Sequence, residues 1–141
     1  MTFKIRQFAA IAICLLGANS ANAADLKVIA NPSVAALSMS ADELKGIYLF
    51  TRTALGDGSR VVPVLAKGGR VHEEFVKMYL GKTDAALQTY YRSLVFSGKA
   101  FMPKMLASDA EVAAYVAKTK GAIGYVSADT SAPGAKAIAV R

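Results

Sequence analysis

Four consecutive residues, Lys67-Gly68-Gly69-Arg70, carry the chemistry best suited to holding an anion. Paired glycines let the backbone approach a ligand closely, and the apolar spacing that begins at Val71 marks the start of a helix. A helix start offers amides that the helix cannot pair and the positive end of its dipole, which together favour an anion. Lys67 and Arg70 add positive charge. A lone Gly-Gly is more often a plain strand-to-helix turn with solvated basic side chains, so the pattern nominates the site without establishing it. Asn31 and Ser33 are the second candidate, because they follow the first apolar run and ligands of open α/β sheets sit beyond strand ends. Asn31-Pro32-Ser33 is more commonly a turn and capping cluster.

Catalytic chemistry finds less support. His72 is the only histidine. His72-Glu73-Glu74 lacks the second histidine one turn on that a helical zinc motif needs, and the sequence carries no other metal or cofactor motif. A solvated helix face is the expectation for His72. No serine sits in a Gly-x-Ser-x-Gly elbow. Adjacent side chains on a helix diverge, which makes Glu73 and Glu74 a poor acid/base pair. Arg52, beyond the first helix, is expected to be exposed. Tyr90, Tyr91, Tyr115 and Tyr125 fall at helix or strand spacings that place them in or beside a core, with hydroxyls at its edge. The chain is therefore expected not to be an enzyme.

The first residues read as an address label. Lys4 and Arg6 form a positive region, Phe8 to Leu16 an apolar stretch too short to span a bilayer, and Ala21-Asn22-Ala23 a cleavage site. Residues 1–23 are thus expected to be a secretory signal peptide, and residues 24–141 the exported domain. Cys14 is not read as a lipidation site, because Ile13 stands where a small residue is needed and Leu15 and Leu16 continue the apolar stretch. The formal charge of +7 falls to about +5 when Lys4 and Arg6 leave. No cysteine remains, so the exported domain relies on its core rather than on disulfides. A modest positive charge without a basic run permits anionic partners and speaks against nucleic acid.

The elements that must hold these residues follow from periodicity. Leu26 to Ala30 reads as a buried strand. Ser40-Ala41-Asp42-Glu43 is a capping box, with Met39 and Leu44 as a hydrophobic staple, opening a helix that buries Leu44, Ile47 and Tyr48. Gly56-Asp57-Gly58-Ser59 is a turn. Val61 to Leu65 is a second strand, where Pro63 implies an edge or an early break in pairing. Val71, Phe75, Met78 and Tyr79 make one apolar stripe on a second helix, stopped by Gly81. Thr83-Asp84 opens a third helix bearing Leu87, Tyr90, Tyr91 and Leu94; Ser97-Gly98-Lys99 ends it, and a loop runs through Pro103. A second capping box, Ser108 to Glu111, opens a fourth helix closed by Gly121. Ile123 to Val126 and Ala137 to Val140 are strands, separated by a turn at Ala132-Pro133-Gly134. Strands mixed with helices predict an α/β fold.

In this order the elements resemble the phosphate ABC-transporter substrate-binding proteins, members of the type 2 periplasmic binding fold. Asn31-Pro32 followed by Leu44-Lys45-Gly46-Ile47-Tyr48-Leu49-Phe50 is similar to that family's first helix. Val61-Val62-Pro63-Val64 is similar to its next strand, and Phe75-Val76-Lys77-Met78-Tyr79-Leu80 to the helix after the anion loop. The most specific match is the Gly121-Ala122-Ile123-Gly124-Tyr125-Val126 run, which follows the helix carrying Tyr115. The family's phosphate receptors carry a Ser-Gly-Thr at the start of the second helix and an arginine just upstream. Here that stretch reads Leu65-Ala66-Lys67-Gly68-Gly69-Arg70-Val71, so only the glycines and the helix start carry over.

The resemblance implies a single lobe of that fold, a mixed central sheet flanked by helices. It implies an exported, periplasmic, solute-binding-like protein with an inorganic oxyanion, phosphate, as ligand and a membrane permease as partner. The alternative is a periplasmic protein-interaction module that has lost its small ligand and pairs with another protein or with itself as a homodimer. One lobe cannot enclose a dehydrated anion, so strong selective binding would need a partner surface.

Overall fold

Strand β1 (Leu26–Ala30) lies where the first apolar run predicts it, and β5 (Ala122–Ser127) follows the Gly121 stop. The computed structural model describes residues 26–141; the predicted signal peptide and its cleavage site lie outside the described residues. Around this antiparallel pair a six-stranded mixed sheet forms from β2 (Ser38–Met39), β3 (Val62–Ala66), β4 (Lys104–Leu106) and β6 (Lys136–Val140). Its order is β2-β6-β1-β5-β3-β4. Both β5 and β6 run antiparallel to β1, whereas β3 runs parallel to β5 and to β4.

Side-chain alternation gives the sheet two buried faces. Val28, Leu65, Ile123 and Tyr125 meet α1 (Ala41–Tyr48), α2 (Arg70–Phe75) and α3 (Asp84–Phe96) on one side. Ile29, Val64, Ala122 and Val126 meet α4 (Asp109–Lys118) on the other. Burying each of the larger aliphatic side chains stabilises the fold by roughly 1.5–3 kcal/mol. Gly124 lets α4 close on the sheet: a β-carbon there would stand 3.0 Å from Val112 Cγ1 and 3.2 Å from Val116 Cγ2.

Local signals fix the helix starts. The Ser40 hydroxyl accepts from the Glu43 amide while the Glu43 carboxylate accepts from the Ser40 amide, and Met39 and Leu44 are both buried as the staple requires. Thr83 caps α3 through the Ala86 amide. At α4 the Ser108 hydroxyl accepts from the Glu111 amide, but the Glu111 carboxylate reaches the amide of Ala107 instead of Ser108.

Three expectations are corrected. The sequence reading has no strand at Ser38–Met39 or Lys104–Leu106; both are too short to show a period and exist because β6 and β3 offer parallel partners. The edge reading of Pro63 gives way to the early break. The Val62 amide donates to Gly121 on the β5 side, so the nitrogen of Pro63 faces the β4 side, where pairing begins only at Val64. The predicted stripe on the second helix also fails at Met78, which is half exposed at 52%. Beyond Phe75 the helix widens into a π-helical turn, Val76–Leu80, which carries Val76 and Leu80 inward and turns Met78 out. Gly81 ends it in the left-handed conformation (φ 62°), as predicted.

Candidate functional site

Where β3 ends, two hydrogen bonds hold the chain as it enters Lys67-Gly68-Gly69-Arg70. The Ala66 amide donates to the Tyr125 hydroxyl at 3.2 Å, and the Lys67 amide donates to the Leu106 carbonyl at 2.9 Å. Gly69 is the N-cap of α2 with φ 97° and ψ 170°, a backbone region essentially reserved for glycine. No side chain caps this helix start, and β-carbons at Gly68 and Gly69 would meet nothing within 4 Å. The backbone of the loop therefore faces open space. Arg70 forms an i,i+4 ion pair with Glu74, Nε to Oε1 at 3.1 Å, so its charge is shared with a carboxylate. Beside the loop lies an open recess of about 320 Å³ lined by Arg70, Val71, Ser127, Ala128 and Asp129. Ser127 donates to the Asp129 carboxylate, and Asp109 accepts from the Ser127 amide at 2.8 Å and the Thr130 hydroxyl at 3.2 Å. The Ser127 side of the recess thus carries carboxylates, while the other side carries the exposed glycine backbone.

Beneath the loop lies a polar chain that the sequence does not announce. His72 is 1% exposed and not on a solvated face as expected. Its Nε2 lies 2.7 Å from Asp84 Oδ1, and its Nδ1 contacts the Tyr125 hydroxyl. One proton arrangement satisfies every bond: Ala66 N–H donates to the Tyr125 oxygen, the Tyr125 O–H donates to Nδ1, and Nε2–H donates to Asp84. Burial pushes the Tyr125 hydroxyl well above its ordinary pKa, which keeps it a donor. The hydrogen bond from His72, partly opposed by desolvation, holds the Asp84 carboxyl below its usual range. Phe75 stacks on Tyr125 with ring centroids 3.8 Å apart, and Tyr48 meets Phe75 edge-on at 4.8 Å. This cluster ties α2, the start of α3 and the ends of β3 and β5 into one unit. Its only sequence signal is a lone histidine one turn into the helix that the glycines open.

Asn31 and Ser33 sit at the other end of the sheet. β1 runs against β5, so its end lies beside Gly121 and Ala122, while Lys67 follows the opposite end of β3. β5 is six residues long, which separates the two ends by roughly 20 Å. There Asn31 Nδ2 donates to the Val116 and Ala117 carbonyls at 2.9 and 3.1 Å, and its Oδ1 accepts from the Ser33 amide. The Ser33 hydroxyl accepts from the Gly121 amide at 2.9 Å. The six candidate residues are thus not one site: four line the α2 start, and two pin the end of α4 to the sheet. The tyrosines lie in or beside the core as expected, but the hydroxyls of Tyr91 and Tyr125 are buried within it, not at its edge. Tyr91 and Tyr125 are buried, and Tyr90 and Tyr115 partly so. The Tyr91 hydroxyl donates to the Tyr48 carbonyl at 2.8 Å. Arg52 is exposed as expected and pairs with Glu43 at 3.3 Å.

The fold is a mixed α/β sheet with helices on both faces and a glycine-led helix start at the end of β3, and solved structures share it. The chain shares its fold with phosphate ABC-transporter substrate-binding proteins: an ABC-type phosphate transport receptor from Vibrio cholerae (TM-score 0.62, 15% identity, 82% of this chain and 46% of that one); a putative phosphate ABC-transporter substrate-binding protein with bound phosphate from Clostridium perfringens (0.63, 15%, 82% and 44%); and PstS from Borrelia burgdorferi (0.62, 13%, 83% and 47%). The chain spans less than half the length of each. No protein-family model and no curated protein matches it. Among the described residues, no helix is long and apolar enough to cross a membrane, and no group of three or more potential ligand side chains could hold a metal ion.

Proposed function

We propose that this chain is an exported, periplasmic, solute-binding-like domain that takes an inorganic oxyanion, phosphate being the first candidate, at the glycine-led start of α2. One observation carries the reading: Gly69 opens the helix in a glycine-only conformation without a side-chain cap, and the space around a β-carbon at Gly68 or Gly69 is open. The first-turn amides and the helix dipole supply the attraction, Lys67 adds charge, and Arg70 contributes what its pairing with Glu74 leaves. Asn31 and Ser33 are architectural in this reading. The fold shared with phosphate receptors, one of them holding phosphate, supports the choice of anion. The open recess gives little enclosure, so affinity stays modest unless a partner such as a membrane permease or a second domain covers the loop. Isothermal titration with phosphate and sulfate tests this. Heat saturating in the micromolar to millimolar range is expected, and none at millimolar anion removes the ligand.

A second reading is a periplasmic interaction module that has lost its small ligand. The Arg70–Glu74 pair favours it, because the guanidinium nearest the glycines already holds a carboxylate. Light scattering separates the two. A salt-insensitive dimer indifferent to anions supports the module, and a monomer stabilised by phosphate supports the receptor.

A further inference from the structure

The largest unexplained apolar exposure lies far from the glycine loop. Phe96, the last residue of α3, is 96% exposed, and Phe101, five residues on, is 93% exposed; Val95 and Met102 beside them are 41% and 45% exposed. Two phenylalanines this free stand clear of the body and of each other, forming a convex tip where a groove would bury them partly. Soluble proteins rarely display large apolar side chains together without a phase or partner to receive them.

The charge around the tip is one-sided. From Ala85 to Ser108 the chain carries Arg92, Lys99 and Lys104 and no carboxylate side chain. At the same end of the sheet, Arg60 and Lys120 line a recess with half-exposed Val62. The register of Val64 with Lys104 sets the tip beyond the start of β3, at the opposite end of the sheet from Lys67–Arg70.

We infer that this tip docks the protein on an anionic lipid surface, with Phe96 and Phe101 entering the headgroup–acyl boundary and Lys99, Lys104 and Arg92 resting on the headgroups. Convex shape and charge favour a bilayer over a protein partner. A fluid interface needs no matching pocket for each ring, and a tip segment with Arg92, Lys99 and Lys104 and no carboxylate of its own matches acidic lipid. Docking this way leaves the α2 start facing away from the membrane, so the inference stands whether or not an anion binds there.

Vesicle co-sedimentation tests it. The purified protein and an F96S/F101S variant with identical termini are compared on phosphatidylglycerol-containing and pure phosphatidylcholine vesicles. Binding to the anionic vesicles should weaken with salt, and the double variant should bind about tenfold or more weakly with its melting temperature unchanged. A K99E/K104E variant should lose the preference for anionic lipid. Equal binding by F96S/F101S overturns the inference, as does equal binding to both vesicle types. If light scattering finds a dimer that the double serine variant dissolves while vesicle binding is unaltered, the tip is a contact between copies, and the lipid assignment is likewise overturned.

Discussion

The two ends of the sheet use polar residues in opposite ways. At the Asn31 end, side chains replace missing backbone partners: Asn31 serves two carbonyls and an amide, and Ser33 serves the Gly121 amide. At the Gly69 end, the polar side chains Tyr125, His72 and Asp84 lie beneath the loop and bond mainly to one another, while the glycine backbone above stays uncovered. A closed hydrogen-bond inventory marks a structural joint. A buried network supporting an open backbone is how a binding loop is held in place without its amides being used up. Anion binding and stability should therefore separate between the ends.

Tyr125→Phe should have the largest effect. It keeps the stacking on Phe75 but removes the hydroxyl shared by Ala66 and His72, leaving two buried polar groups without it. The expected cost is about 3 kcal/mol, a fall in Tm of roughly 10–20 °C, with loss of any anion heat because both anchors of the loop loosen. Thermal melts followed by titration check both. A variant that melts early yet binds anion normally would break the link between network and loop. Asn31→Ala, at the other end, should cost about 2 kcal/mol through the bonds it strips from α4 and the Ser33 turn, and should leave anion binding untouched at temperatures where the fold persists. If it abolishes binding, the contrast between the ends is wrong.

The glycines sharpen the comparison within one loop. At φ 97° and ψ 170°, alanine in place of Gly69 is strained by about 1–3 kcal/mol, and relieving that strain moves the first-turn amides. Gly68 has a backbone open to alanine and space around it, so Gly68→Ala should change stability by less than about 1 kcal/mol. Chemical denaturation should resolve the difference. Matching losses at both positions would mean that the loop's shape does not depend on Gly69.

Elements whose signals are local were legible in the sequence. The Ser40 box, the Thr83 cap and the Gly81 stop each depend on contacts within a few residues, and each stands where the sequence pattern placed it; α4 ends earlier than expected, with Thr119 extended as its C-cap, and Gly121 (φ 77°) forms the turn into β5. The helix start at Gly69 was legible for the same reason, since its glycines precede an apolar stripe. What escaped the sequence depends on distant partners. β4 is three residues that become a strand only beside Val64, Leu65 and Ala66. His72 lies outside the Val71, Phe75, Met78, Tyr79 stripe, yet it shares a helical face with Phe75 and Val76, three and four residues on, and is buried because Tyr125, 53 positions away, arrives beside it. Asn31 and Ser33 were a second candidate because strand ends attract ligands; the turn and capping role more common for Asn-Pro-Ser is the one they fill, and the antiparallel course of β1 places them at the opposite end from the glycines.

The smallest expected effect is a pH dependence confined to the Gly69 end. Hydrogen bonding from His72 holds the Asp84 carboxyl below its usual range. A group whose folded pKa is depressed adds stability that is fully present above its unfolded value, near 3.9, and is lost as pH falls through the folded value. Asp84 is 41% exposed, so solvent screens the interaction and the contribution is small. The difference in stability between the native chain and Asp84→Asn should thus narrow as pH falls below about 4.5. At the Asn31 end no ionisable side chain joins the bonds to Val116, Ala117 and Gly121, so the penalty of Asn31→Ala should stay flat across the same range. Parallel denaturation series at several pH values compare the two directly. A gap for Asp84→Asn that does not narrow in acid would mean that the carboxylate's charge adds nothing beneath the loop, leaving Tyr125 and His72 as its support.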